Sequence, residues 1–421
     1  MSEFENRRER LFALMKENSA LILFSGIGKI CSEDEQFPFK SNRNFFYLTQ
    51  IEQDHSAIVL VNGIGEKKVY LFIDEYSEMK EKWTGKRLTF EEAQYLSDLK
   101  SVYSMNTLDT MMNMILTKDN NQYGNITTLY VDQSPELKIE QAFSTVDYAE
   151  KMKESFPHVE IENAYPLIRD LRMVKSQEEI NNIVKAIEMT NNGICQLILN
   201  MKPGLYEYEL ADMFEFYGRS HDRHPLAFST IVAAGSSAIC LHHPVEQQNV
   251  MIKDNQLVLF DLGFSHEGYS ADISRTYPIN GKYEGNQRLV YQVVLECNKA
   301  VIEQIKPGIT IAELQDFAKE FLKRKCVEMN LMRDDEEIVK YYYHNVSHHL
   351  GLDTHDASLR DRPLENGNVI TVEPGLYFAN LGIGVRIEDD VLLEDGKPVV
   401  LSRNIAKEIS DIERLFSSKG R

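Results

Sequence analysis

The sequence predicts a two-domain chain of the mixed α/β (α+β) class, and three observations carry that prediction. Its 421 residues exceed what one hydrophobic core usually organises. The stretch 1–172 alternates short β-type runs with helix-like segments, the pattern of an α/β layer. The stretch 173–421 instead contains a faint internal echo, so it is expected to fold as a second domain built from two related halves.

In the first domain the β-type runs are Ala20-Leu21-Ile22-Leu23-Phe24, His55-Ser56-Ala57-Ile58-Val59-Leu60-Val61, Val69-Tyr70-Leu71-Phe72-Ile73 and Thr128-Leu129-Tyr130-Val131. A helix-like stretch near Asp147 to Glu154 continues the style, and the domain is expected to close near Arg172. The second domain opens on Ser176-Gln177-Glu178-Glu179, a capping box, followed by Ile180, Ile183, Val184 and Ile187 at helical spacing. Lys202-Pro203-Gly204 recurs as Lys306-Pro307-Gly308, an offset of 104, and Glu209-Leu210 recurs as Glu313-Leu314 after the same interval. The pair His242-His243 recurs as His348-His349, an offset of 106, and a hairpin pattern follows each, at 256–278 and 368–393. Each half therefore reads helix, Lys-Pro-Gly turn, helix, histidine, hairpin.

Composition narrows the function. With 43% apolar and 26% charged residues the chain is an ordinary globular one. A formal charge of −19 argues against nucleic acid or an anionic membrane as a main partner. No secretory signal is evident at Met1-Ser2-Glu3-Phe4-Glu5-Asn6-Arg7-Arg8, and no apolar run approaches the ~20 residues that span a bilayer. The five cysteines, Cys31, Cys195, Cys240, Cys297 and Cys326, form no C-x-x-C pair and are expected to be buried free thiols in a reducing cytoplasm.

The chemistry lies in the two hairpins. The first carries Asp261 at the end of Leu257-Val258-Leu259-Phe260 and Asp272 on the returning Ala271-Asp272-Ile273-Ser274, where an aspartate is disfavoured in a strand. The second carries Glu373 after Val369-Ile370-Thr371-Val372 and Glu388 after Gly384-Val385-Arg386-Ile387. Four converging buried carboxylates are strongly unfavourable unless cations neutralise them. With His348 the set becomes Asp, Asp, His, Glu, Glu: hard oxygen donors with one imidazole and no thiolate, suited to Mn(II), Co(II), Fe(II) or Zn(II).

In order and local context Asp261, Asp272, His348, Glu373 and Glu388 resemble the five ligands of the pita-bread metallopeptidases, the family of methionine aminopeptidase, prolidase and aminopeptidase P. The resemblance covers about 173–405. Ser347-His348-His349-Leu350-Gly351-Leu352-Asp353-Thr354-His355-Asp356 and Phe37-Pro38-Phe39-Lys40-Ser41-Asn42-Arg43-Asn44-Phe45-Phe46-Tyr47-Leu48-Thr49 look most like the bacterial aminopeptidase P version. Two positions depart from the pattern: Asn345 stands where the family commonly has Gly, and His349 replaces a large aromatic.

The resemblance implies a cytoplasmic Xaa-Pro aminopeptidase with an N-terminal domain over 1–172 and a catalytic pita-bread domain over 173–421. It implies two divalent ions per chain, Mn2+ foremost, sharing a hydroxide that attacks the peptide bond, with Glu373 as both ligand and proton shuttle. His242, His344 and His355 would line the substrate side and stabilise the oxyanion, and Arg386 would orient a ligand carboxylate. His221, His224 and His243 are expected to be structural. Trp83, in Glu81-Lys82-Trp83-Thr84-Gly85, resembles a tryptophan that walls the active site, in places from a neighbouring subunit, so a homodimer or homotetramer is expected. The competing readings are a prolidase restricted to Xaa-Pro dipeptides, a non-catalytic pita-bread peptide-binding protein and a metal-free creatinase-like hydrolase. The full ligand set weighs against the last two.

Overall fold

The computed structural model describes residues 2–33, 35–118, 122–134, 145–221 and 224–418. The chain separates into two compact units, Met1–Arg172 and Met173–Arg421.

The first unit is built on one six-stranded sheet of order β4-β3-β2-β1-β5-β6 among the described residues. Its strands are β1 (Ser19–Phe24), β2 (Ala57–Asn62), β3 (Lys67–Ile73), β4 (Val102–Ser104), β5 (Thr128–Val131) and β6 (Glu160–Asn163). β1 to β3 form an antiparallel meander, and β4, β5 and β6 add in parallel. Every residue of β1 is buried, which is why its sequence is a continuous apolar run and not an alternation. Helices α1 (Glu3–Leu14), α2 (Arg43–Thr49), α3 (Glu78–Thr84), α4 (Phe90–Ser97), α5 (Leu108–Leu116), α6 (Thr145–Ser155) and α7 (Tyr165–Met173) complete it. Arg7 and Arg8, read from sequence only as part of a mixed-charge terminus, are buried, and Arg8 donates to the carbonyls of Leu48 and Ser97. Trp83 lies on α3 with 84% of its surface exposed.

The second unit shows the repeat directly. α8 (Gln177–Asn200) leads through Lys202-Pro203-Gly204 into α9 (Glu207–Ser220), and α10 (Gly285–Gln304) leads through Lys306-Pro307-Gly308 into α11 (Ile311–Glu328). Both turns need a left-handed residue, Gly204 at φ +91° and Gly308 at φ +92°. Ser176 caps α8 reciprocally with Glu179. Each helix pair precedes a set of antiparallel strands. β7 (Ile231–Ala234), β8 (Leu257–Leu262) and β11 (Ile273–Pro278) form one sheet, with the short β9 (Ser265–His266) and β10 (Tyr269–Ser270) at the hairpin tip. β12 (Val369–Val372), β15 (Asp389–Glu394) and β16 (Lys397–Val400) form another, and β13 (Gly375–Phe378) pairs with β14 (Ile383–Arg386). α12 (Ile409–Ser417) follows.

Two expectations are corrected. The second hairpin is not one continuous pair of strands. It is interrupted on both sides, between β12 and β13 at Glu373-Pro374, where proline cannot donate to a ladder, and between β14 and β15 at Ile387-Glu388. The cysteines are not uniformly buried: Cys297 and Cys326 are, whereas Cys31, Cys195 and Cys240 are exposed free thiols.

Candidate metal centre

Asp261 lies on β8 directly opposite Ser274 of β11. Asp272 falls just before β11. A β-carbon at Gly263 would stand 2.0 Å from the carbonyl oxygen of Ala271, so only glycine lets the two chains approach closely enough to set that register. The strand breaks turn Glu373 and Glu388 toward the same point: the Glu373 amide donates to the Val346 carbonyl at 2.8 Å, and the Glu388 amide to the Ser274 carbonyl at 3.0 Å. The second bond ties the first hairpin to the second. His348 runs beside β12, its amide on Thr371 Oγ1 at 3.1 Å and its carbonyl accepting from the Thr371 amide at 2.9 Å. All five residues therefore converge.

His348 Nε2 stands 3.3 Å from Asp272 Oδ2, 3.5 Å from Glu373 Oε1 and 4.0 Å from Glu388 Oε1. Its Nδ1 lies 3.0 Å from the His349 carbonyl, so Nδ1–H donates there and the Nε2 lone pair faces the carboxylates. Three overlapping donor sets, Asp261 with Asp272 and Glu388, His348 with Glu373 and Glu388, and Asp272 with His348 and His355, each hold their ligating atoms within 4.8 Å of one another. Burial and the neighbouring Glu388 push Glu373 up to about 8. Burial and the surrounding carboxylates likewise push Asp272 and Glu388 well above the usual range. A hard divalent cation relieves this repulsion while taking one imidazole as a softer ligand, so the donor set fits such an ion.

Arg386 does not reach the carboxylate two residues along its own chain. Its Nη2 donates to Asp261 Oδ2 at 2.7 Å, its Nε to Ser274 Oγ at 2.7 Å and its Nη1 to Tyr377 Oη at 3.2 Å. The same-face alternation expected for 386 and 388 fails because β14 ends at Arg386. Ser274 and Tyr377 were not singled out from sequence. Ser274 Oγ donates to Glu388 Oε2 at 2.7 Å and lies 3.3 Å from Asp261 Oδ1, so it joins both hairpins. Its position two residues after Asp272, hence on the same strand face, was the available signal.

His344 lies at the edge of the cluster, Nδ1 3.7 Å from Glu373 Oε2. Both its nitrogens are engaged: Nδ1 lies 2.8 Å from the Asn345 carbonyl, and Nε2 2.8 Å from Tyr377 Oη. Arg386, Tyr377 and His344 thus form one chain of hydrogen bonds. Burial and Arg386 push His344 down to about 3, so its ring is neutral near pH 7. The His355 ring lies over His348 at 4.0 Å between centroids, and burial with the His348 neighbour brings it down to about 4. His242 is exposed and is an electrostatic neighbour of both His344 and His355. Asn345 does not take left-handed backbone angles, and His349 is fully buried. His243 is buried against Glu207, whereas His221 and His224 lie elsewhere, on Tyr217 and the Ser265 carbonyl.

Residues 181–395 match the metallopeptidase family M24, and residues 4–123 match the aminopeptidase P N-terminal domain. The Xaa-Pro aminopeptidase of Haemophilus influenzae is 33% identical over 435 residues, covering 99% of this chain and 97% of the relative. A Bacillus anthracis structure bearing the aminopeptidase P designation superposes with a TM-score of 0.94 at 38% identity, covering 99% of this chain and 98% of that one. A zinc-substituted aminopeptidase P from Escherichia coli, solved with product, gives a TM-score of 0.89 at 27% identity, covering 100% and 99%.

Proposed function

The chain belongs to metallopeptidase family M24, and on that premise we propose that it is a metal-dependent Xaa-Pro aminopeptidase. It releases the N-terminal residue from peptides with proline in second position. The observation that carries this reading is the convergence of Asp261, Asp272, His348, Glu373 and Glu388, whose donors fall into overlapping sets of three, each within 4.8 Å.

These five residues hold the divalent metal, and three overlapping donor sets support two ions per chain, with manganese foremost. When bound, such ions supply Lewis acidity to the scissile carbonyl and lower the pKa of coordinated water toward ~7. The chain's own residues do the rest. Glu373 is the proton carrier: its carboxylate, 3.5 Å from His348 Nε2 and 3.7 Å from His344 Nδ1, is placed to take a proton from the attacking water and pass it to the leaving nitrogen. That transfer is essential for proline, whose amide nitrogen has no hydrogen and leaves only when protonated. Arg386 orients Asp261, and Ser274 orients Glu388. His355 and His242 offer N–H groups to the oxyanion, and the neutral His344, tied at both nitrogens, buttresses Glu373.

The substrate is a peptide. Trp83, with its indole uncovered on α3, is proposed to bind substrate in a homodimer or homotetramer of this chain. The deciding experiment compares release of the first residue from Xaa-Pro-Xaa, Xaa-Pro and Xaa-Ala-Xaa peptides on manganese-loaded protein. Cleavage of both proline peptides with little of the alanine one supports the reading. Cleavage of Xaa-Pro alone would make the chain a dipeptidase, and equal rates on all three a general aminopeptidase.

A further inference from the structure

On the reading above His242 faces the substrate, and it stands on a segment outside the strands, so something other than a strand ladder must fix it. The segment begins with the tight turn 235–239 after β7 and runs to His243. Three side chains from outside hold it. Glu207, the first residue of α9 and fully buried, spans its two ends: Oε1 accepts from the Ala234 amide at 2.7 Å. Its Oε2 meets His243 Nε2 at 3.2 Å and the Val250 amide at 3.4 Å. Gln248 reinforces the His243 end, donating to the carbonyls of Thr230 and His243. Between the ends the hydroxyl of Tyr343 donates to the Ile239 carbonyl. Tyr343 immediately precedes His344, so this bond fastens the His242 segment to the loop that carries His344.

The clamps matter because part of the segment borders open space. Ala238 packs into a small core with Ala233, Leu259 and Tyr377, and Ile239 packs against that core. Ile239, Tyr343 and Tyr377 also line a cavity of about 880 Å³ with Met332, Tyr341 and Asn380. We infer that Glu207, His243 and Tyr343 are positioning residues whose joint task is to hold His242 in register with Glu373 and His355. This rests on the role given to His242 above. It also gives the second of the paired histidines a function: His243 takes the buried carboxylate so that His242 faces the substrate.

A double-mutant cycle tests the inference on the metal-loaded full chain, with metal content and thermal unfolding measured for every variant. Tyr343→Phe removes one hydroxyl and His243→Leu one ring donor. Each should lower kcat on an Xaa-Pro-Xaa peptide by on the order of tenfold with KM little changed, since a misplaced donor is felt in the transition state. His243→Gln, whose amide can still donate to Glu207, should recover most of that loss. In a His242→Ala background the Tyr343→Phe and His243→Leu effects should largely vanish, because they act through the ring already removed. Equal losses in both backgrounds, or no loss from either substitution while His242→Ala itself is impaired, would overturn the positioning role and leave the reading of His242 standing. A His242→Ala variant with wild-type kinetics would remove that reading, and this inference with it.

Discussion

In the proposed mechanism Glu373 is the residue on which the chemistry turns, because it serves as metal ligand and proton carrier together. It contributes to a donor set with His348 and Glu388. Glu373→Gln keeps an oxygen that can face a cation but cannot carry a proton. Metal-replete Glu373→Gln should therefore lose about 10²–10⁴ in kcat, the usual worth of general acid–base catalysis. Turnover within a few-fold of wild type, with metal measured in the same sample, would contradict the shuttle. Four of the five ligands could be read from sequence as carboxylates placed where strands should be apolar, and His348 joined them as the one imidazole that completes a hard donor set. Tyr377 could not be found that way. In Gly375-Leu376-Tyr377-Phe378 it reads as a core aromatic, and it is one: its value lies in a hydroxyl that meets His344 and Arg386 only once β13 and β14 have paired.

At the scale of elements, the centre is made by breaks as much as by strands. Asp272 precedes β11, and Glu373 and Glu388 occupy the two interruptions of the second hairpin. A two-residue alternation predicts neither break, and it does not tell which ligand carboxylate Arg386 meets, which is Asp261. The repeat, by contrast, was legible, because Lys-Pro-Gly turns between amphipathic helices depend on local chemistry alone. The loop after His348 illustrates a contact no local pattern reveals. Lys175, at the entrance to α8, donates to Asp356 at 2.9 Å with both side chains about 1% exposed. The pair pins the loop that carries His355. Lys175→Met would remove the ammonium that donates to the buried Asp356 carboxylate, and chemical denaturation should show a loss of about 3–5 kcal/mol. A loss below ~1 kcal/mol, the worth of a surface pair, would show that the ion pair does not hold the loop.

For the whole molecule, the centre couples metal, protons and stability. Glu373 titrates near 8 in the folded chain against 4.5 for an ordinary glutamate, so the folded, metal-stripped protein binds more protons than the unfolded chain between those values. Asp272 and Glu388 are shifted in the same direction. The stabilisation this gives is present below about 4.5 and is lost as pH rises toward about 8. His344 and His355, held down to about 3 and about 4, act in the opposite sense below about 6.5, so unfolding of the stripped protein should show stability falling between about 6.5 and 8, and added manganese should remove the slope by taking the place of the protons. A stripped protein whose stability is flat or rises there would contradict the shifted carboxyls. Trp83 is the single tryptophan of the chain, so its fluorescence reports on one place. Product binding should change that fluorescence, and Trp83→Ala should weaken turnover of tripeptides while metal content stays intact. A silent indole with unchanged kinetics would make it an ordinary surface residue. The most direct measurement follows bound metal and turnover of an Xaa-Pro-Xaa peptide in the same samples as chelator-stripped protein is reloaded, alongside a Glu388→Ala variant. We expect turnover to be absent after stripping, to rise with bound divalent ion until the site saturates, and to fail in Glu388→Ala at the same added metal. Full turnover by the stripped protein, or by Glu388→Ala without bound metal, would contradict the assignment of this cluster as the catalytic centre.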